Sequence, residues 1–127
     1  MAKTILIVED QVTIRKVYRT ILEGAGYGVL EAEDGSKGWT WAQAALPNLI
    51  LTDLMMPVMD GFQLLQKLRA NTETQAIPVI VFSLRGEDEN VKKALSLGAA
   101  GFMTKGYVPP KVILEKVRTA LGELKDN

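Results

Sequence analysis

Five short apolar runs alternate with five segments of helical periodicity along this chain, and no other feature limits its possible folds so sharply. The runs lie at 4–8, 29–32, 49–53, 77–82 and 99–104. They are rich in Ile, Leu and Val, long enough for strands and too short for ordinary helices. Continuous apolar runs suit strands covered on both faces, as in a parallel sheet. Between them, apolar residues recur at helical spacing. The first helix carries Ile14, Val17, Tyr18, Ile21 and Leu22, with Arg15, Lys16 and Arg19 facing away and Gly24 and Gly26 as its stop. Trp39 and Ala42 mark the second helix, and Phe62, Leu64, Leu65 and Leu68 the third. Val91, Ala94, Leu95 and Leu97 mark the fourth. Pro109-Pro110 opens the last, whose inner stripe is Val112, Ile113, Val117 and Leu121. Strictly alternating strands and helices predict an α/β fold, with a parallel sheet, right-handed crossovers and helices on both faces.

The 127 residues fit one domain, 1–127 with a core of about 3–124, without repeat, linker or low-complexity stretch. Lys and Arg (15) balance Asp and Glu (15), which argues against a direct nucleic-acid or membrane-surface binder. The chain has no cysteine, which excludes disulfides and thiolate metal sites. It has no histidine either, which removes the commonest general base and the usual zinc ligands. Met1-Ala2-Lys3-Thr4 runs straight into the first strand without a signal-peptide pattern, and no apolar run is long enough to span a bilayer, so a cytoplasmic location is expected. Gly24-Ala25-Gly26-Tyr27-Gly28-Val29 is not a dinucleotide fingerprint, because Val29 holds the place of the third glycine and the segment leaves a helix.

Four of the five strands end in polar groups: Glu9-Asp10, Asp53, Ser83 and Lys105. In a parallel sheet these ends share one edge, where open α/β sheets place their ligands. Taken singly, each has a plainer reading: Asp10 as a helix N-cap, Glu9 as a favourable charge at a helix start, Asp53 as a cap on a strand or turn. Taken together they form a site. Two carboxylates about 4 Å apart repel by roughly 1 kcal/mol in water and about 4 kcal/mol at an effective dielectric near 20, so three acids in one place call for a cation. An all-oxygen site without His or Cys points to Mg²⁺ or Mn²⁺. Such an ion keeps room for phosphate oxygens. Lys105 adds a positive charge and Ser83 a hydroxyl. The set describes a pocket that receives a phosphoryl group on the Asp53 carboxylate.

From about Lys3 to Leu124 the chain resembles the receiver domains of two-component response regulators, which are CheY-like. The resemblance rests on Ile7-Val8-Glu9-Asp10, on Asp53-Leu54-Met55-Met56-Pro57-Val58-Met59-Asp60-Gly61, on Ser83, and on Gly98-Ala99-Ala100-Gly101-Phe102-Met103-Thr104-Lys105. It implies a flavodoxin-like doubly wound (βα)5 fold with strand order 2-1-3-4-5. It also implies that Asp53 is the phosphoacceptor, served by a sensor histidine kinase or phosphotransfer protein. Asp10 and Asp53 would ligate the metal directly, Glu9 through water and Met55 through its backbone carbonyl. Ser83 and Phe102 would be the switch residues. Their movement would repack the surface of the fourth helix, fifth strand and last helix for a downstream protein, the chain itself being a monomer or weak dimer. Three positions depart from the usual pattern: Gly106 where proline follows the lysine, Leu84 where a small residue follows the switch hydroxyl, and Phe102 where tyrosine is commoner. Altered kinetics are expected from them, through a differently shaped loop at 106–108 and narrower access to Asp53.

The alternative is a degenerate receiver that binds partners without phosphorylation, but degeneration strikes the acids or the lysine, and all are present. A phosphatase with an aspartyl nucleophile would want a second acid where Met55 stands, so the chain is expected to be a switch and not an enzyme. With no output domain after the last helix, it reads as a stand-alone receiver or one cut from a longer chain.

Overall fold

The computed structural model describes residues 2–83, 88–104 and 108–123. Lys105, Leu84, Gly106 and Leu124, all singled out above, lie outside the described residues. The elements run β1 (Thr4–Val8), α1 (Val12–Gly24), β2 (Gly28–Ala32), α2 (Gly35–Ala45), β3 (Leu49–Asp53), α3 (Gly61–Ala70), β4 (Val79–Ser83), α4 (Asp88–Ser96), β5 (Gly101–Thr104) and α5 (Pro110–Ala120). The five strands pair in parallel in the order β2-β1-β3-β4-β5. This is the flavodoxin-like arrangement that the resemblance implies.

Alternate residues of each strand feed opposite faces of the sheet, as the pleat requires. Leu6, Val8, Ile50, Val79 and Val81 meet Ala42, Leu64, Leu65, Leu68 and Ala94 on the side of α2, α3 and α4. Ile5, Ile7, Leu49, Leu51, Ile80 and Phe82 meet Tyr18, Leu22, Ile113 and Val117 on the side of α1 and α5. Both faces are therefore covered, which is why the strands read as unbroken apolar runs and not as alternating ones.

Two strands begin later than the sequence pattern suggests. β4 starts at Val79 because Pro78 has no N–H for the ladder, although its carbonyl accepts from Ile50. β5 starts at Gly101 because the Ala99 N–H is spent on the Ala94 carbonyl, closing the end of α4, where Gly98 has φ 95°. The helix faces are also narrower than their apolar spacing implies. Val17 and Leu95 are about half exposed, and Val112 is exposed as well. Arg15, expected to face away, is instead half-buried against β2, and Arg19 joins it there.

Candidate functional site

The parallel order brings the carboxyl ends of β1, β3 and β4 side by side. Val8 pairs with Thr52, and Asp53 pairs with Phe82, so Glu9, Asp53 and Ser83 follow or end neighbouring strands on one edge. Glu9, Asp10 and Asp53 each offer a carboxylate oxygen, and these oxygens lie within 4.8 Å of one another. Glu9 is fully buried and Asp53 is 3% exposed, whereas Asp10 faces solvent. The plainer reading of Asp10 as a helix cap fails: Gln11 occupies the N-cap of α1.

The backbone around these acids is closely held. The Glu9 N–H donates to the Ala32 carbonyl of β2, and the Glu9 Oε2 accepts from the Gln11 N–H. Asp53 Oδ1 accepts from the Met55 N–H at 3.2 Å, which brings the Met55 backbone to the rim while its side chain points into solvent. The loop after Asp53 then turns back on itself. The Met59 N–H reaches the Pro57 carbonyl at 2.8 Å across Val58, whose φ of 71° is a strained backbone for a β-branched residue. The Gly61 N–H donates to the Leu54 carbonyl. Asp60 starts α3 with a reciprocal capping box with Gln63. On the other side, Gly35 is so close to the loop that a Cβ there would stand 2.2 Å from the Met59 carbonyl oxygen.

Ser83 is buried at the end of β4 and pairs with Thr104. Phe102 pairs with Val81 and packs, partly buried, against the core on the α3 side. Thus Glu9, Asp10 and Asp53 are brought together, Ser83 and the Met55 backbone lie on the same edge, and Phe102 sits two residues back on the outer strand.

Sequence reasoning missed the support behind Glu9. Arg15 donates from Nη1 to the Glu9 carbonyl at 2.7 Å and from Nε to Glu31 Oε1 at 2.8 Å. Arg19 takes the other Glu31 oxygen, Oε2. Burial on the edge strand pushes the Glu31 carboxyl up, but hydrogen bonds from Arg19 and Arg15 outweigh this and hold it below the ordinary value of 4.5. The signal was present: two arginines one helical turn apart, and an acid inside an otherwise apolar strand.

Three carboxylates from two strand ends, two of them buried, are an oxygen-donor set of the kind that suits Mg²⁺ or Mn²⁺. Among the described residues no helix is long and apolar enough to cross a membrane. Comparison with known proteins agrees with this geometry. The sequence profile of the response regulator receiver domain matches residues 5–118. The chain is 36% identical over 113 residues to the phosphate regulon transcriptional regulatory protein PhoB of Pseudomonas aeruginosa, covering 89% of this chain and 49% of that protein. It spans about half the length of the curated relatives it matches. The CheY-like receiver domain protein of Methanospirillum hungatei superposes with a TM-score of 0.89 at 32% identity, covering 97% of this chain and 96% of that one. The chemotaxis protein CheY4 of Vibrio cholerae gives 0.89 at 28% identity, with 94% and 99% covered. By its sequence, its strand order and its acidic edge, the chain belongs to the response regulator receiver domain family.

Proposed function

We propose that the chain is a phosphoacceptor switch in which Asp53 takes a phosphoryl group from the phosphohistidine of a histidine kinase or phosphotransfer protein. The observation that carries this is the convergence of the Glu9, Asp10 and Asp53 oxygens within 4.8 Å, with Asp53 almost wholly buried at a strand end. A carboxylate oxygen of Asp53 forms the new O–P bond as the N–P bond of the donor breaks, and the electron pair leaves with the imidazole nitrogen. Asp10 and Asp53 would hold Mg²⁺ directly, Glu9 would do so through water, and the Met55 carbonyl would complete the protein's share. The ion supplies positive charge to the phosphoryl oxygens. Lys105 would add a second cation and Ser83 a hydroxyl donor. The Met55 N–H donates to Asp53 Oδ1 and so restrains the carboxylate at the strand end.

The packing around β5 supports an output through the neighbouring surface. Ser83 and Thr104 are register partners, and Phe102 lies two residues behind on the same strand. A shift of Ser83 toward a phosphoryl on Asp53 would change the support on which Phe102 rests, and with it the α4-β5-α5 surface. Leu95 of α4 and Val112 of α5 already expose apolar area that a partner protein would cover. To take such a switch from mostly inactive to mostly active requires roughly 5.5 kcal/mol of differential stabilisation.

Incubation with Mg²⁺ and acetyl phosphate should add the mass of one phosphoryl group to the wild-type chain and none to Asp53→Asn. Failure of the wild type to gain it, or retention of the label by Asp53→Asn, would overturn the assignment.

A further inference from the structure

We propose that Arg15 is a positioning residue for the acidic pocket, holding the backbone of Glu9 while Glu31 on the edge strand holds Arg15. The inference rests on the reading of Glu9 as part of the Mg²⁺ site. Glu9 is the fully buried member of the acidic set, and it follows directly on the last residue of β1. Its N–H is tied to β2 through the Ala32 carbonyl, and its carbonyl accepts from Arg15 Nη1 at 2.7 Å. Both backbone polar groups of the residue are therefore held from outside its own strand, which fixes the direction in which its side chain leaves the sheet.

Arg15 can do this because its guanidinium is itself oriented. Nε donates to Glu31 Oε1 at 2.8 Å while Nη1 serves Glu9. The side chain is only 14% exposed, so the contact is shielded from competing water. Arg19, one helical turn on, donates to Glu31 Oε2, so both oxygens of Glu31 are engaged and the carboxylate has one orientation. The chain of contacts runs from α1 to the edge strand and back to the pocket: Arg19 and Arg15 fix Glu31, Glu31 fixes Arg15, and Arg15 fixes Glu9. A planar fork is needed for the two-way contact. Lysine, a point donor on a flexible stem, cannot bridge the carboxylate and the carbonyl in the same geometry. Groups one contact removed from a metal ligand commonly change metal affinity when they are lost, because they aim the ligand.

The test measures Mg²⁺ affinity by titration calorimetry, melting temperature, and the rate of phosphorylation by acetyl phosphate. The proteins are wild type, Arg15→Ala, Arg15→Lys, Glu31→Gln and Arg69→Ala. Arg15→Ala should weaken Mg²⁺ binding about 10-fold and slow phosphorylation at subsaturating Mg²⁺. Arg15→Lys should restore only part of the affinity, and Glu31→Gln should weaken binding in the same direction. Arg69→Ala serves as the stability control. It removes contacts at the opposite end of the sheet and should lower the melting temperature with no change in the Mg²⁺ Kd. Should Arg15→Ala fail to fold, Arg15→Lys and Glu31→Gln carry the test. A Mg²⁺ Kd within about two-fold of wild type in the folded Arg15 and Glu31 variants would overturn the inference while the phosphoacceptor reading stands. A wild-type chain that binds no Mg²⁺ would overturn both.

Discussion

A Cβ added at Gly61 would stand 2.4 Å from the carbonyl oxygen of Asp53 and 2.9 Å from the Cα of Leu54. Gly61 opens α3 with unremarkable helical geometry, so the constraint there is space and not backbone freedom. The atoms it meets are main chain and cannot move without moving Asp53. Gly61→Ala should therefore cost about 2–3 kcal/mol of stability, at the upper end of common point mutations. It should also slow phosphorylation of whatever fraction remains folded. Denaturant unfolding and a phosphorylation time course check the two effects. Wild-type stability in Gly61→Ala would mean that the close approach is not a real constraint.

The acidic pocket predicts a stabilisation by metal. Three carboxylates held within 4.8 Å, two of them buried, repel one another when ionised, and a bound divalent cation offsets that repulsion. A ligand that binds only the folded state adds about 2.7 kcal/mol at 100 times its Kd. Mg²⁺ at that level should raise the melting temperature of the wild-type chain, and EDTA should reverse the rise. In EDTA, Asp53→Asn should melt above the wild type, because one of the mutually repelling charges is gone. In Mg²⁺ the order should close or invert. Melting curves that ignore both Mg²⁺ and the substitution would remove the electrostatic basis of the site.

Much of this was legible in the residues. The strand order needed the family resemblance, but the alternation of strands and helices did not. The meeting of Glu9-Asp10, Asp53 and Ser83 on one edge followed from strand ends alone, because parallel strands put their carboxyl ends together. Helix faces were less legible. Val17, Leu95 and Val112 sit at apolar spacing yet remain exposed, because spacing gives a stripe but not its width. Arg15 was read as outward for the opposite reason. It is polar and lies beside the apolar stripe, and only the position of Glu31 across the α1–β2 seam turns it inward. Pro57 and Asp60-Gly61 signal the loop after β3, but the positive φ at Val58 had no sequence signal. A β-branched residue with φ of 71° contradicts local preference and persists through the contacts on both sides of it.

Arg69, at the end of α3, ties the Gln75–Ile77 segment before β4 to Gly98 after α4. Its Nε and Nη2 donate to the Gly98 carbonyl at 3.3 and 2.9 Å, and its Nη1 donates to the carbonyls of Gln75 and Ile77. Burial pushes the guanidinium's pKa below its ordinary value, and the guanidinium donates to neutral carbonyls. Arg69→Ala should cost about 2–4 kcal/mol, since three carbonyls lose a charged donor. Arg69→Lys should recover less than half, because an ammonium cannot span the carbonyls of both segments. Urea unfolding of the two variants decides the matter. Full rescue by lysine would show that the charge and not the fork is what counts.

The Glu31 pair predicts a pH dependence with a definite sign. Although burial alone would raise the Glu31 pKa, the guanidiniums of Arg19 and Arg15 hold it below 4.5 in the folded chain. In the unfolded chain the carboxyl returns to its ordinary value. A group whose folded pKa is depressed binds fewer protons folded than unfolded just below that value. Its contribution is therefore complete above about pH 4.5 and disappears as the pH falls through the depressed value. Glu31→Gln should accordingly be less stable than wild type by a constant margin between about pH 6 and 8, of about 1.5 kcal/mol for charged hydrogen bonds replaced by a neutral one. Below about pH 4 the margin should shrink toward zero. Thermal melts of the two proteins across this range, at one fixed ionic strength, read the margin directly. A gap that stays constant or widens as the pH falls would show that the substitution acts through packing and not through the ion pair.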